Sequence, residues 1–259
     1  MIKSLLFVPA TEKMINKIEG FNADAYIVDL EDSIEDSKKE EALSIASKML
    51  PSISKCNLFV RVNKPSFEKE IEALKSLGNI GFMLPKFERV EEYSKVESIL
   101  ENHEVIALIE TPLGITNAKE IAECKWVNAL AFGAEDYTAV TNIKNDDTFL
   151  LYQKSLLVNI GRAYNKKVYD TPSFQLYDEN KFEEEVMNSV DFGFDGKLAI
   201  NPKQVNTINE SFRRLNIEYL KKIIYEYETR GEAVCVIDGK VYEKMHISHI
   251  KRIIKEKQK

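Results

Sequence analysis

The chain has 259 residues, 44% hydrophobic and 30% charged, with a formal net charge of -6. That length suits one large domain as readily as two small ones, and the acidic balance argues against a nucleic-acid partner, which calls for a basic face. Cys56, Cys124 and Cys235 are isolated and form no CxxC pair, so neither a thiolate zinc site nor a disulfide framework is indicated, and they read as idle thiols of a reducing cytoplasm.

Short apolar runs rich in β-branched and aromatic residues then recur along the chain. SLLFVPA (4–10) comes first and reads as a strand rather than a secretory signal, which needs a longer apolar region. AYIVDLED (25–32) is followed by SKKEEALSIASKML, where Ala42, Ile45, Ala46 and Met49 form one helical stripe. LFVRVN (58–63), GFMLPK (81–86), EVIALIET (104–111), ALAFGAED (129–136) and KKVYDTP (166–172) continue the series. KFEEEVMNSVDFGF predicts another helix, with Phe182, Val186, Val190 and Met187 on one side, before the last run, GKLAI (196–200). None of these runs is long enough to span a bilayer.

Most of the runs are continuous rather than alternating, as in strands buried on both faces. Strand and helix alternating eight times predict an α/β fold, a (β/α)8 TIM barrel over residues 1–215. An open doubly wound sheet is the competitor, but no GxGxxG follows the first strand. Residues 216–259 depart from the pattern: a helix over 217–230, an extended pair over 233–243 turning at Asp238-Gly239, and a basic helix over about 246–257. This tail is expected to cap the barrel or to meet a neighbouring subunit.

Barrel enzymes place their chemistry at the C-terminal ends of the strands. Reading only those ends gives Pro9; Asp29, Glu31 and Asp32; Arg61 and Asn63; Lys86; Glu110; Glu135 and Asp136; Asp170; and Asn201. Any carboxylate of DLED can instead cap the following helix. Arg61, flanked by valines, needs an anionic partner, either a ligand or a carboxylate of the site. Glu110 and Asp136, from successive strands, suit a hard divalent cation such as Mg²⁺, or alternatively an acid/base pair without metal. No histidine neighbours them, which argues against zinc. His103, His246 and His249 read as surface residues.

At these motifs the sequence resembles the citrate lyase β-subunit group of the HpcH/HpaI aldolase superfamily. The resemblance is collinear through SLLFVPA, VDLEDSI with a trailing Lys38, FVRVN, MLPK, LIETPLGITNAKEIA, LAFGAEDY and GFDGKLAINPKQV. It implies a Mg²⁺-dependent barrel that cleaves or forms a carbon–carbon bond in a β-hydroxyacyl thioester of the citryl, citramalyl or malyl type. The acyl group is carried by coenzyme A or an acyl carrier protein, and the products are an acyl thioester and a 2-keto acid (oxaloacetate, pyruvate or glyoxylate).

Carried over residue by residue, the resemblance makes Glu110 and Asp136 the metal ligands and Arg61 a catalytic and substrate-binding group. Asp29, Asp32 and Lys86 join Asp136 in lining the substrate pocket, and Lys3 is a further phosphate contact beside Lys86. It also implies a homotrimer in which a C-terminal G-x-x-x-D aspartate acts as acid/base; the matching segment, 239–243, ends in Glu243. Asn201 stands where the family has histidine, Lys3 where it often has arginine, and no arginine follows GAED in TAVTNIKNDDTF. A thioester hydrolase, an aldolase for free hydroxy-keto acids and a non-catalytic partner subunit of a lyase complex are the alternative readings.

Overall fold

Each of the eight apolar runs forms a strand. The computed structural model describes residues 2–54, 57–213 and 217–257; Cys56 lies outside them. The strands are β1 (Ser4–Pro9), β2 (Ala25–Asp29), β3 (Leu58–Arg61), β4 (Ile80–Leu84), β5 (Val105–Ile109), β6 (Ala129–Phe132), β7 (Lys167–Asp170) and β8 (Gly196–Ala199). All pair in parallel in sequence order, and β8 closes on β1 through Leu5 opposite Leu198, giving a closed barrel. The helices of the connections are α1 (Glu12–Ile15), α2 (Lys39–Met49), α3 (Phe67–Leu74), α4 (Glu97–Leu100), α5 (Pro112–Thr116), α6 (Ala118–Glu123), α7 (Ala134–Thr141), α8 (Asp147–Ala163), α9 (Glu179–Phe192) and α10 (Gln204–Arg213).

Two apolar layers explain why the strands read as continuous runs. Alternate residues, among them Leu5, Ile27, Phe59, Met83, Ile106, Ala131, Tyr169 and Leu198, fill the barrel's interior. The residues between them, such as Leu6, Val28, Val60, Phe82, Ala107, Leu130 and Val168, face the helices. With both faces buried, no polar alternation survives. On α2 the predicted stripe is the packed face: Ala42 and Ala46 are buried, and Ile45 and Met49 are partly buried against them. On α9 the stripe holds for Phe182, Val186 and Val190, with Ser189 buried among them. Asp178 caps the start of α9 by accepting from the Lys181 N–H, and Gly193, at φ 90°, ends it in the left-handed conformation that glycine takes without strain.

The chain divides into two compact units, Ile2–Phe212 and Arg213–Lys259. The second contains α11 (Ile217–Arg230), the antiparallel strands β9 (Val234–Ile237) and β10 (Lys240–Glu243), and α12 (Lys244–Lys257). Positive φ at both Asp238 and Gly239 makes the predicted turn a type I′ hairpin. Ile223, Cys235, Ile237, Ile247 and Ile250 form the core of this unit.

Two expectations need correction. His103 is half buried, not on the surface: its Nδ1 lies 2.9 Å from the Ile80 carbonyl oxygen and its ring meets Phe82 edge-on. Asp170 does not join the groups at the barrel mouth. Tyr169 before it takes the inward position, so Asp170 points outward between strands and helices, where it is fully buried. There it accepts from Lys197 Nζ at 2.9 Å and Lys154 Nζ at 3.1 Å, and from the Ser189 hydroxyl. This cluster ties β7 and β8 to α8 and α9.

Burial on its own would raise the Asp170 pKa, but Lys197 and Lys154 overcome it and hold the carboxyl well below the usual carboxylate range. Because its pKa is depressed in the folded protein, the stabilisation it provides is complete above the ordinary aspartate pKa of about 3.9 and is lost as the pH falls below that. Asp170→Asn leaves the buried Lys197 without its anion and Lys154 with Asp147 alone, and should cost about 3–5 kcal/mol in urea unfolding at pH 7. The variant should also lose part of the wild type's decline in stability below about pH 4. An unchanged midpoint would contradict this pairing.

Candidate active site at the barrel mouth

The inward register that places Ile27, Phe59, Leu108, Ala131 and Leu198 inside the barrel continues one step further at each strand's C-terminal end. Two residues on stand Asp29, Arg61, Glu110, Gly133 and Ile200, and Thr171 follows Tyr169 in the same way. All six line a cavity of about 330 Å³ at the barrel mouth, together with Phe7 from β1 and Asp136 from the first turn of α7. The DLED, FVRVN, IET and GAED motifs therefore meet because of strand parity in a closed barrel.

Arg61 is the fixed point. Its Nε donates to Asp29 Oδ1 at 2.6 Å and its Nη2 to Asp29 Oδ2 at 2.7 Å, a bidentate pair. Nη1 donates to Asp32 Oδ2 at 2.8 Å and lies 3.4 Å from Glu31 Oε2, while the guanidinium stacks 4.8 Å from the centre of the Phe7 ring. Burial works against both charges. The hydrogen bonds and charge of Arg61 nonetheless hold Asp29 below its ordinary pKa, and those of Asp29 raise the arginine further above its own. Asp29 also accepts from the backbone N–H groups of Glu31 and Ser33, so it is oriented from two sides.

Lys86 organises the carboxylates opposite. Its φ of 46° turns the chain sharply after β4. Its backbone N–H donates to Glu110 Oε1 at 2.8 Å, and its ammonium lies 3.5 Å from both Glu31 and Asp136. Those carboxylates and Glu110 raise the lysine's pKa although burial opposes it. Glu110 is almost wholly buried; burial, and next the nearby charge of Asp136, push its carboxyl up to about 8. Burial likewise pushes Glu31 up to about 7, with Asp32 adding to it and Arg61 opposing. Gly133 is required here: a Cβ would stand 2.5 Å from Glu110 Oε2.

Two crowded carboxylates, one of them raised by the other's charge, are the arrangement that a bound cation relieves. Among the described residues no three His, Cys, Asp or Glu side chains are grouped to enclose a metal. A hard divalent cation held by Glu110 and Asp136 would keep its remaining positions for water and an oxygen-rich ligand. The residues present thus fit such an ion.

Other strand-end residues are used differently. Asn63 donates to Glu70 on α3 and accepts from Lys39, so it braces the helices. Glu135 accepts from Asn145. Asn201 accepts from the Lys203 N–H, and Gln204 accepts from the Asn201 N–H. Lys3 stands just before β1, at the opposite end of the barrel, and donates to the Asp195 carbonyl, so it is not a phosphate contact at the mouth. Glu243 lies at the end of β10 in the second unit; its side chain is exposed and its N–H donates to His246 Nδ1. Sequence reasoning named Glu31 among the strand-end groups without giving it a specific role, and gave none to Phe7, Thr171 or Phe174. The first three are legible from spacing: Glu31 lies inside DLED, and Phe7 and Thr171 share the inward parity. Phe174 sits on the irregular 171–178 segment, where no periodicity guides a reading.

Comparison with known proteins places this geometry. The family model for HpcH/HpaI aldolase/citrate lyase matches residues 3–202. The citrate lyase subunit beta of Leuconostoc mesenteroides subsp. cremoris is 28% identical over 280 residues, covering 98% of this chain and 92% of that protein. A (3S)-malyl-CoA thioesterase of Cereibacter sphaeroides is 29% identical over 258 residues, covering 95% of this chain and 90% of that one. Among solved structures, protein CitE from Mycobacterium tuberculosis, in complex with magnesium, acetoacetate and coenzyme A, superposes with a TM-score of 0.81 at 20% identity over 99% of this chain and 98% of that one. With the matched region spanning the whole barrel mouth, the chain belongs to the HpcH/HpaI aldolase/citrate lyase family.

Proposed function

We propose that the chain is a Mg²⁺-dependent carbon–carbon lyase that cleaves, or in reverse forms, a β-hydroxyacyl thioester, giving a 2-keto acid and an acyl thioester. The observation that carries this reading is the shared cavity in which Glu110 and Asp136 face Arg61. Glu110 and Asp136 are the residues that would hold the ion. Bound there, Mg²⁺ supplies Lewis acidity toward the keto acid's carboxylate and the oxygen next to it. The magnesium and coenzyme A bound by the M. tuberculosis neighbour support the choice of ion and of thioester.

In the cleavage direction a base takes the β-hydroxyl proton. The C–O bond becomes a carbonyl as the Cα–Cβ bond breaks, its electron pair passes into the thioester as an enolate, and a proton then returns to Cα. No oxidant or reductant is needed. Arg61 stabilises the negative oxygen that develops, and its pairing with Asp29 and Asp32 means that it does so without reorganising. Lys86 keeps Glu31 and Asp136 drawn together and orients Glu110 through its backbone. N–H groups in the first turn of α7 favour the substrate carboxylate. The acid/base role belongs to Glu243, by resemblance to the family's tail segment, and a homotrimer whose C-terminal segment 216–259 meets a neighbouring subunit is part of the same proposal.

The thioesterase relative favours one second reading, hydrolysis of the thioester on the same barrel. The two separate by product. With Mg²⁺ and citryl-, citramalyl- or malyl-CoA, a lyase releases a keto acid and leaves the acyl thioester intact, whereas a hydrolase releases free thiol without keto acid. Absence of keto acid across the three would overturn the lyase.

Glu110→Gln keeps an acceptor for the Lys86 N–H but removes the ligand charge. Calorimetric Mg²⁺ affinity should fall at least about 100-fold, while the metal-free protein unfolds at the same or a higher temperature because a strained buried carboxylate is gone. Undiminished affinity would exclude Glu110 as a ligand. Arg61→Lys cannot span both Asp29 oxygens and Asp32. It should lower kcat/KM by about 100-fold or more, a loss of the size seen when one oxyanion donor is removed; near-wild-type turnover would show that the fork is not needed.

A further inference from the structure

Lys86 serves the mouth twice. Its backbone N–H donates to Glu110 Oε1 at 2.8 Å, and its ammonium lies 3.5 Å from Asp136 Oδ1 and 3.5 Å from Glu31 Oε1. The φ of 46° lies in the left-handed region, which a lysine occupies at a cost that glycine avoids. A glycine would make the same backbone bond without strain. The bond to Glu110 therefore does not explain a lysine at this position, and the ammonium does.

The two ion pairs of that ammonium are long. A charge-assisted N–H···O bond is about 2.7–2.9 Å, so at 3.5 Å the lysine is attracted to both carboxylates and locked to neither. Its two partners differ. The Asp136 side chain is 38% exposed and that of Glu31 only 7%. Glu31 is also short of donors: its Oε2 lies 3.4 Å from Arg61 Nη1 but accepts no hydrogen bond among the described residues. The Arg61 fork is already committed to Asp29 and Asp32. A buried carboxylate without a close donor gains more from an ammonium than an exposed one does.

A divalent cation at Asp136 alters this balance. An ion about 2.1 Å from Asp136 Oδ1 stands within about 6 Å of the ammonium. Like charges that close repel, and Glu31 is the neighbour on which the lysine can stay. With all three carboxylates ionised, the ion's double charge balances Glu110 and Asp136, and the lysine balances Glu31. We infer that the Lys86 ammonium is a built-in competitor for the cation: it offsets Asp136 until an ion binds there, then withdraws to Glu31, which is its holding site and not a metal ligand. The inference rests on Glu110 and Asp136 being the metal ligands, and it assigns to Lys86 and Glu31 the control of that site's affinity.

The test is calorimetric Mg²⁺ binding to the full-length chain. Lys86→Gly removes the ammonium, keeps the N–H to Glu110 and relieves the backbone; Lys86→Met removes the charge but keeps most of the bulk. Each should bind Mg²⁺ at least about fivefold more tightly than wild type, the contribution of one partly exposed ion pair. Equal or weaker binding in the folded variants would overturn the competition. Glu31→Gln then separates the holding site from a general effect of charge. Alone, it should weaken Mg²⁺ binding about fivefold or more, because the displaced ammonium loses its partner. Combined with Lys86→Gly it should change the affinity by less than about twofold, the range of independent sites. The same loss in both backgrounds would show that Glu31 acts on the ion directly and would overturn its holding role. No Mg²⁺ binding to wild type or to Lys86→Gly would overturn the metal ligands themselves, whereas binding lost in Glu110→Gln without a gain in Lys86→Gly would overturn the competitor alone.

Discussion

A buried guanidinium held by both oxygens of a buried carboxylate is the interaction on which the mouth of this barrel depends. Arg61 and Asp29 are the terminal residues of adjacent strands and stand opposite each other in register. Closing the barrel buries both, so each needs the other. Once paired they orient the neighbours: Asp32 and Glu31 are drawn toward the guanidinium, and Phe7 covers its face. Desolvating two charges is expensive, and a pair of this kind is weak evidence of stability in itself. Its value lies in a rigid, charged donor at the point where a reaction would develop negative oxygen.

Opposite that pair the balance is reversed. Glu31 and Asp136 share a single ammonium, Glu110 has only the Lys86 backbone N–H, and Glu110, the most buried of the three, carries the largest upward shift among the carboxyls of the mouth. One half of the mouth is thus nearly neutral and rigid, and the other half holds excess negative charge that a divalent cation offsets. A left-handed lysine backbone and a glycine against the Glu110 carboxylate maintain this crowding. Both are local concessions of stability of the kind found where geometry serves a site.

The third feature of the mouth is its apolar wall, from β1, β8 and the segment after β7. It carries no charge and so takes no part in gripping a metal or an oxyanion.

By itself the sequence determined the architecture and the identities of the polar groups. Eight continuous apolar runs separated by helical stripes allow few folds, and DLED, FVRVN, IET and GAED stand where strands end. What only the tertiary structure decided is which neighbour each charge takes. Asp170 and Thr171 are adjacent at a strand end, but the pleat sends the first to Lys154 and Lys197 outside and the second to the cavity. Arg61 turned to Asp29 and Asp32, and Lys3 to the far end of the barrel. A charge at a strand end is legible in one dimension. Its partner depends on closure of the barrel, which brings together residues from distant strands and leaves each buried ion to the counter-charge within reach.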